Sequence, residues 1–126
     1  MKRERLDMEG FKKELTAHIL PFWINFMVDD ENGGFYGRMD GHNRLIKGAS
    51  KGAVLNARLL WTFSAAYRLL KTPVYLEMAK RAYNYICKYF IDPMYGGVYW
   101  ELDCKGNPIN RKKQTYAQGF TLYGFT

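Results

Sequence analysis

One stretch of this chain occurs twice, and that repetition limits the possible folds more than any other feature. "NGGFYGRMDGHNRLIKG" starts at Asn32 and "YGGVYWELDCKGNPINR" starts at Tyr95. Gly33-Gly34 matches Gly96-Gly97, Tyr36 matches Tyr99, Asp40 matches Asp103 and Ile46 matches Ile109, at a constant offset of 63 residues. Each copy opens on a Gly-Gly pair, alternates aromatic or apolar residues with polar ones, and turns on Gly or Asn, the pattern of a short hairpin. A unit used twice in one chain buries its apolar face against its neighbours rather than alone.

Helical patterns flank both hairpins. The first starts near Asp7, a plausible N-cap, and carries Phe11, Leu15, Ile19, Phe22 and Phe26 at helical spacing. Pro21 is expected to kink or split it, because its ring clashes with the carbonyl four residues back. A second helix spans about Lys51 to Leu70. Thr72-Pro73 then supplies an N-cap and a first-turn proline for a third helix, with Tyr75, Ala79, Ala82, Tyr83, Ile86 and Phe90 on one stripe. A fourth begins near Lys113 and runs through "YAQGFTLYGFT". The order is an amphipathic outer helix, a hairpin and an apolar inner helix, twice over. The fold class is therefore all-α: an α/α toroid, here an incomplete barrel of about two helical hairpins with short β-hairpin loops. Residues 1–126 form one part of a single such domain, truncated within the fourth helix. At the constant offset, Ala53 is the counterpart of Tyr116.

The second helix poses a problem. In "VLNARLLWTFSAA" apolar residues cover every side except that of Arg58, and a helix of that kind is expected to be buried all round. An unpaired guanidinium there would cost several kcal/mol. Positions three and four residues away are Val54, Leu55, Trp61 and Thr62, so the helix itself offers no carboxylate. A partner acid, a wet pocket or a ligand must meet the charge.

Composition narrows the partners. The chain has a net charge of +7, but its basic residues are dispersed, with a single triplet at Arg111-Lys112-Lys113 and no nucleic-acid or phosphate-loop signature. A solvated basic face and no nucleic-acid partner are expected. No run of 18 apolar residues predicts a membrane span. The opening "MKRERLDMEGFKKEL" lacks the apolar stretch of a signal peptide. Cys87 and Cys104 have no CxxC spacing, which fits reduced thiols in a cytoplasmic protein and no metal site.

Three longer stretches, "FKKELTAHILPFWINFMVDDENGGFYGRMD", "GASKGAVLNARLLWTFSAAYRLL" and "DPMYGGVYWELDCKGNPINRKKQTYAQGF", resemble the opening of the cellobiose 2-epimerases of the N-acylglucosamine 2-epimerase superfamily. The resemblance runs through essentially the whole chain. It implies an (α/α)6 toroid of which these residues form roughly the first third, two of six hairpins. It also implies inversion at C2 of a reducing-end sugar: the ring opens, C2 loses its proton to give an enediolate, and the proton returns on the opposite face. The implied substrate is a disaccharide or monosaccharide, and no cofactor or metal is implied.

By the same resemblance, Arg58 in "NARLLW" falls at the family's pocket arginine, which meets the C1 and C2 oxygens and steadies the enediolate. A permanently protonated guanidinium can stabilise such charge without becoming the base. Tyr116 in "QTYAQGF" falls at a tyrosine lining the same pocket. On the 63-residue offset it lies five positions before the equivalent of Arg58, about 140° round the helix. Trp100, in the second hairpin, is a candidate for stacking on a pyranose face. The family's proton-transfer histidines lie on later inner helices and have no counterpart here. His18 is expected to be a partly buried helix residue with a hydrogen-bond partner, and His42 an exposed turn residue. Tyr36, Tyr99 and Trp61 are expected to pack, and Asp40 and Asp103 to close their turns. Without two bases on opposite faces of C2, the chain alone is expected to be inactive. The alternative is a non-enzymatic sugar-binding or self-associating module, which would cover its apolar flanks by oligomerising.

Overall fold

The computed structural model describes residues 8–126; the N-cap expected at Asp7 lies outside the described residues. The first helix is continuous over 8–26, as α1 (Met8–Glu14), a π turn (Leu15–Ile19) and α2 (Leu20–Phe26). Pro21 does not split it. The turn before the proline widens instead, with the Leu20 N–H donating to Leu15 O, five residues back. Proline has no N–H for Ala17 and its ring crowds that carbonyl, so one inserted residue absorbs the misfit. The insertion also rotates the preceding turns by about 100°, which shifts the apolar stripe. Leu20 and Met27 are buried and Trp23 and Ile24 half-buried, whereas Phe11, Ile19 and Phe26 remain exposed.

Helix α3 (Ala53–Leu70) ends on Lys71, whose left-handed backbone (φ 56°) returns its N–H to Tyr67 O. Two residues later α4 (Pro73–Tyr85) begins and continues into a second π turn (Ile86–Phe90). Thr72 precedes Pro73 as expected, but its hydroxyl makes no capping bond. Tyr75, Ala79, Ala82, Tyr85, Ile86 and Phe90 are buried. Tyr83, expected in that stripe, is exposed. Tyr83 and Tyr85 flank the stripe by about 80° on opposite sides, and the side covered is the one facing the first hairpin. Helix α5 (Thr115–Phe125) starts two residues after Lys113. The core lies where α3 packs against both α4 and α5.

The hairpins cross-link the two units. β1 (Lys51–Gly52), β2 (Glu101–Leu102) and β3 (Pro108–Asn110) form an antiparallel sheet in the order β1-β2-β3, with Lys51 opposite Leu102. The end of the first hairpin thus pairs with the second. The repeat is visible in the backbone pairings. Val28 bridges Phe35 as Ile91 bridges Val98, and Met39 bridges Leu45 as Leu102 pairs with Pro108. Asp40 Oδ1 accepts the His42 and Arg44 amides, and Asp103 Oδ1 accepts those of Lys105 and Asn107. Both turns close through side-chain-to-backbone bonds, as expected. The architecture is the all-α one read from the sequence, with short β-hairpin loops.

A second pair of aspartates carries most of the order. Asp29 Oδ1 accepts the Glu31 and Asn32 amides, and its Oδ2 receives Lys51 Nζ at 2.7 Å. Lys51 also donates to Gly33 O, and Arg81 from α4 donates to Gly34 O and Asp29 O. In the second unit Asp92 Oδ1 accepts the Met94 and Tyr95 amides, and Lys113 donates to Asp92 Oδ2 and Gly96 O. Lys51 and Lys113 are therefore equivalent, and they lie 62 residues apart. The two inner helices begin at residues 53 and 115, again 62 apart. The second unit has lost one residue between Ile109 and Lys113, so the offset is not 63 throughout.

Gly34 sits under this clamp at φ +65°, and a Cβ there would lie 2.7 Å from the Tyr85 ring. Gly34→Ala is therefore expected to lower unfolding stability by about 1–3 kcal/mol, through left-handed strain plus overpacking. Urea denaturation measures this; an unchanged midpoint would show that the loop shifts freely.

Candidate functional site

The one-residue correction rearranges the expected site residues. At an offset of 62, the equivalent of Arg58 is Phe120 rather than Thr121, and the equivalent of Tyr116 is Val54 rather than Ala53. Tyr116 is then four residues from the Arg58 position, about 40° round the helix instead of 140°. The geometry agrees: the Tyr116 and Phe120 rings meet edge to face with centroids 4.7 Å apart, and the Arg58 guanidinium carbon lies 5.0 Å from the Phe120 centroid. Arg58, Phe120 and Tyr116 form one ladder on the hairpin side of the inner helices. Phe120 was not singled out by sequence reasoning; pairing Lys51 with Lys113 would have found it.

Arg58 is exposed, contrary to the expectation of a helix buried on every side. The α3 flank that carries Trp61 is also open. Among the described residues Arg58 has no carboxylate partner, the ion pairs being Glu14–His18, Asp40–Arg44, Asp29–Lys51 and Asp92–Lys113. Its aromatic seat is a cation–π contact, which holds the head group without neutralising it. The question posed by its sequence context is thus answered by solvent on one side and an aromatic ring on the other. Thr115, Tyr116, Gly119, Phe120 and Tyr123 line a shallow concavity on the same surface.

Trp100 is not part of the ladder. It is half-buried against the core, and its backbone carbonyl accepts the Ala53 N–H at the start of α3. Tyr36 and Tyr99 are buried, and Trp61 stacks on Tyr123 at 5.7 Å. His18 has its partner, with Nδ1 2.8 Å from Glu14 Oε2, but is exposed rather than partly buried, because the π turn rotates it outward. His42 lies in an exposed turn. Neither histidine lines the concavity at Tyr116 and Phe120.

The start of each inner helix is held firmly. Lys51 and Asp29 are essentially inaccessible, at 1% and 0% side-chain exposure. Burial alone would raise the Asp29 pKa, but the Lys51 ammonium and two amide donors outweigh it, leaving the carboxyl below its ordinary value. Asp92 falls to about 2, chiefly through its bond from Lys113 and the Met94 amide. Gln118 on α5 receives the Val98 N–H on its carbonyl and donates its amide to Val98 O, tying that helix to the second hairpin. No three His, Cys, Asp or Glu side chains among the described residues are placed to hold a metal ion. No described helix is long and apolar enough to cross a membrane, and both cysteines are free thiols.

An outer helix, a hairpin and an inner helix, repeated with aligned inner helices, define a segment of an α/α toroid. The comparisons agree: residues 34–126 match the family described as N-acylglucosamine 2-epimerase (GlcNAc 2-epimerase). The chain belongs to that family. It is 56% identical to cellobiose 2-epimerase of Bacteroides fragilis across 94% of its own length and 30% of that protein's. It superposes on the solved cellobiose 2-epimerase of Bacillus thermoamylovorans B4167 with a TM-score of 0.89 at 47% identity, covering 92% of this chain and 30% of that one. A D-mannose isomerase structure, at 22% identity and a TM-score of 0.79, shares the fold. The chain thus spans about a third of the length of the curated relatives it matches.

Proposed function

We propose that residues 1–126 are the opening third of a carbohydrate 2-epimerase domain, acting on a reducing-end sugar of the cellobiose type. In this reading α3 and α5 are two of the six inner helices around a sugar-holding funnel. Arg58 meets the C1 and C2 oxygens as the enediolate forms, and Tyr116 hydrogen-bonds the sugar. The observation that carries this is the charge of Arg58: exposed, paired with no carboxylate among the described residues, and set on Phe120 beside Tyr116. A fixed cation facing open volume suits an anion that exists only in the transition state. Trp100 is the weakest of the candidates, being half-buried in the hairpin.

Proton transfer needs two bases, and among the described residues no histidine or carboxylate lines the concavity at Tyr116 and Phe120, so the 126-residue chain alone is expected to give no turnover and no deuterium uptake at C2 in heavy water. The test is a hybrid in which this chain replaces the matching opening residues of the Bacteroides fragilis relative. Cellobiose epimerisation by the hybrid supports the reading. A folded hybrid that binds cellobiose but leaves it unchanged would sink it.

A further inference from the structure

The two inner helices put different residues at one shared station. Arg58 occupies it on α3 and Phe120 on α5, 62 residues later. Each helix is fixed in height by its own clamp, Lys51 on Asp29 and Lys113 on Asp92. The helices also lie close together. One turn beyond Phe120, a Cβ on Gly124 would come within 2.8 Å of the carbonyl oxygen of Ala57, the residue before Arg58. Held in this way, the guanidinium carbon of Arg58 falls over the Phe120 ring, 5.0 Å from its centroid.

Phe120 is half-buried and lies outside the cluster that forms the core. Among the described residues, the aromatic and cation–π contacts of its ring are those to Arg58 and to Tyr116, which meets it edge to face. A carboxylate in its place would also fix a long, flexible arginine, but it would take the N–H donors and offset the charge. A ring offers the cation its π face and no lone pair, so it restrains the head group while the donors stay available to oxygen atoms. An oxyanion that exists only in a transition state is stabilised best by a charge already in place, because any rearrangement adds to the barrier.

We propose that Phe120 is a positioning residue for epimerisation: its ring holds the Arg58 guanidinium where the enediolate oxygens form. It acts through Arg58 and not on the sugar. The assignment rests on the carbohydrate 2-epimerase reading given above.

Steady-state kinetics of the hybrid enzyme on cellobiose test it. Phe120→Leu keeps an apolar side chain but removes the ring, so kcat is expected to fall about 3- to 30-fold, with KM changed by less than about twofold. Phe120→Tyr retains the ring and should keep most of the wild-type kcat. In the Arg58→Ala background, Phe120→Leu should change kcat by less than about twofold, because the residue it positions is gone. Circular dichroism melts establish that each variant is folded at the assay temperature. Phe120→Met, a second ringless side chain of similar bulk, is read in the same way if the leucine variant does not fold. A ringless variant at wild-type kcat, a loss as large without Arg58 as with it, or a loss confined to KM overturns the proposal and leaves the sugar reading standing. Phe120→Tyr falling as far as Phe120→Leu overturns it as well. An inactive hybrid, or Arg58→Ala at wild-type kcat, brings down both together.

Discussion

In the hybrid enzyme, Arg58→Ala is expected to lower kcat/KM by about 10²–10³-fold, or roughly 3–4 kcal/mol of transition-state stabilisation, with little change in melting temperature. The loss should fall mainly on kcat, because the neutral sugar in the ground state gives a cation less to hold than the enediolate does. Stability should barely move, since Arg58 is exposed and joins no ion pair among the described residues. Arg58→Lys should recover only part of the activity. An ammonium keeps the charge but loses the planar fork and its seat on the Phe120 ring. A hybrid in which Arg58→Ala keeps wild-type kcat would remove the proposed role. Loss of KM alone would reduce it to ground-state sugar binding.

Lys51→Met should be the most damaging single change to the fold, costing about 3–5 kcal/mol in urea denaturation, because it strands the buried Asp29 carboxylate. Asp29→Asn with Lys51 intact should cost a similar amount. The double variant should recover much of the loss, since neither charge then remains buried and alone; a strictly additive double would mean the pair is not coupled. The pH dependence has a definite sign. A carboxyl whose folded pKa is depressed binds protons less readily in the native state, so its contribution is present above the unfolded value and lost as pH falls through the folded one. For Asp92 the loss spans about pH 4 down to 2, from its ordinary 3.8 to about 2. Asp29 shifts in the same direction. Lys113→Met should therefore raise the pH at which acid unfolding begins.

Much of this architecture was legible because the repeat carries it. Hairpins were predicted from Gly-Gly entries and Gly/Asn turns, and the bridges fall at matching positions in both units. Three features escaped, two of them because they depend on partners distant in sequence. The π turn before Pro21 resolves a steric conflict by widening the helix, an outcome that apolar spacing does not reveal. Tyr85 displaced Tyr83 from the core because the first hairpin covers that flank, which periodicity on α4 cannot reveal. The one-residue loss between Ile109 and Lys113 is silent in a gap-free alignment of the hairpins and shows only when both lysines are seen on their aspartates. For the candidate site, Arg58 and Tyr116 were named from the sequence, whereas Phe120 between them needed that corrected register.

The lysine–aspartate clamp has a consequence for how a duplicated fold diversifies. Both units use an aspartate and a lysine to anchor the start of an inner helix, and in both the station one and a half turns into that helix lies outside the clamp. One unit places arginine there and the other phenylalanine, on scaffolds otherwise alike. The support is repeated while the residue it positions is not, so a side chain at that station can change without redesigning what holds the helix.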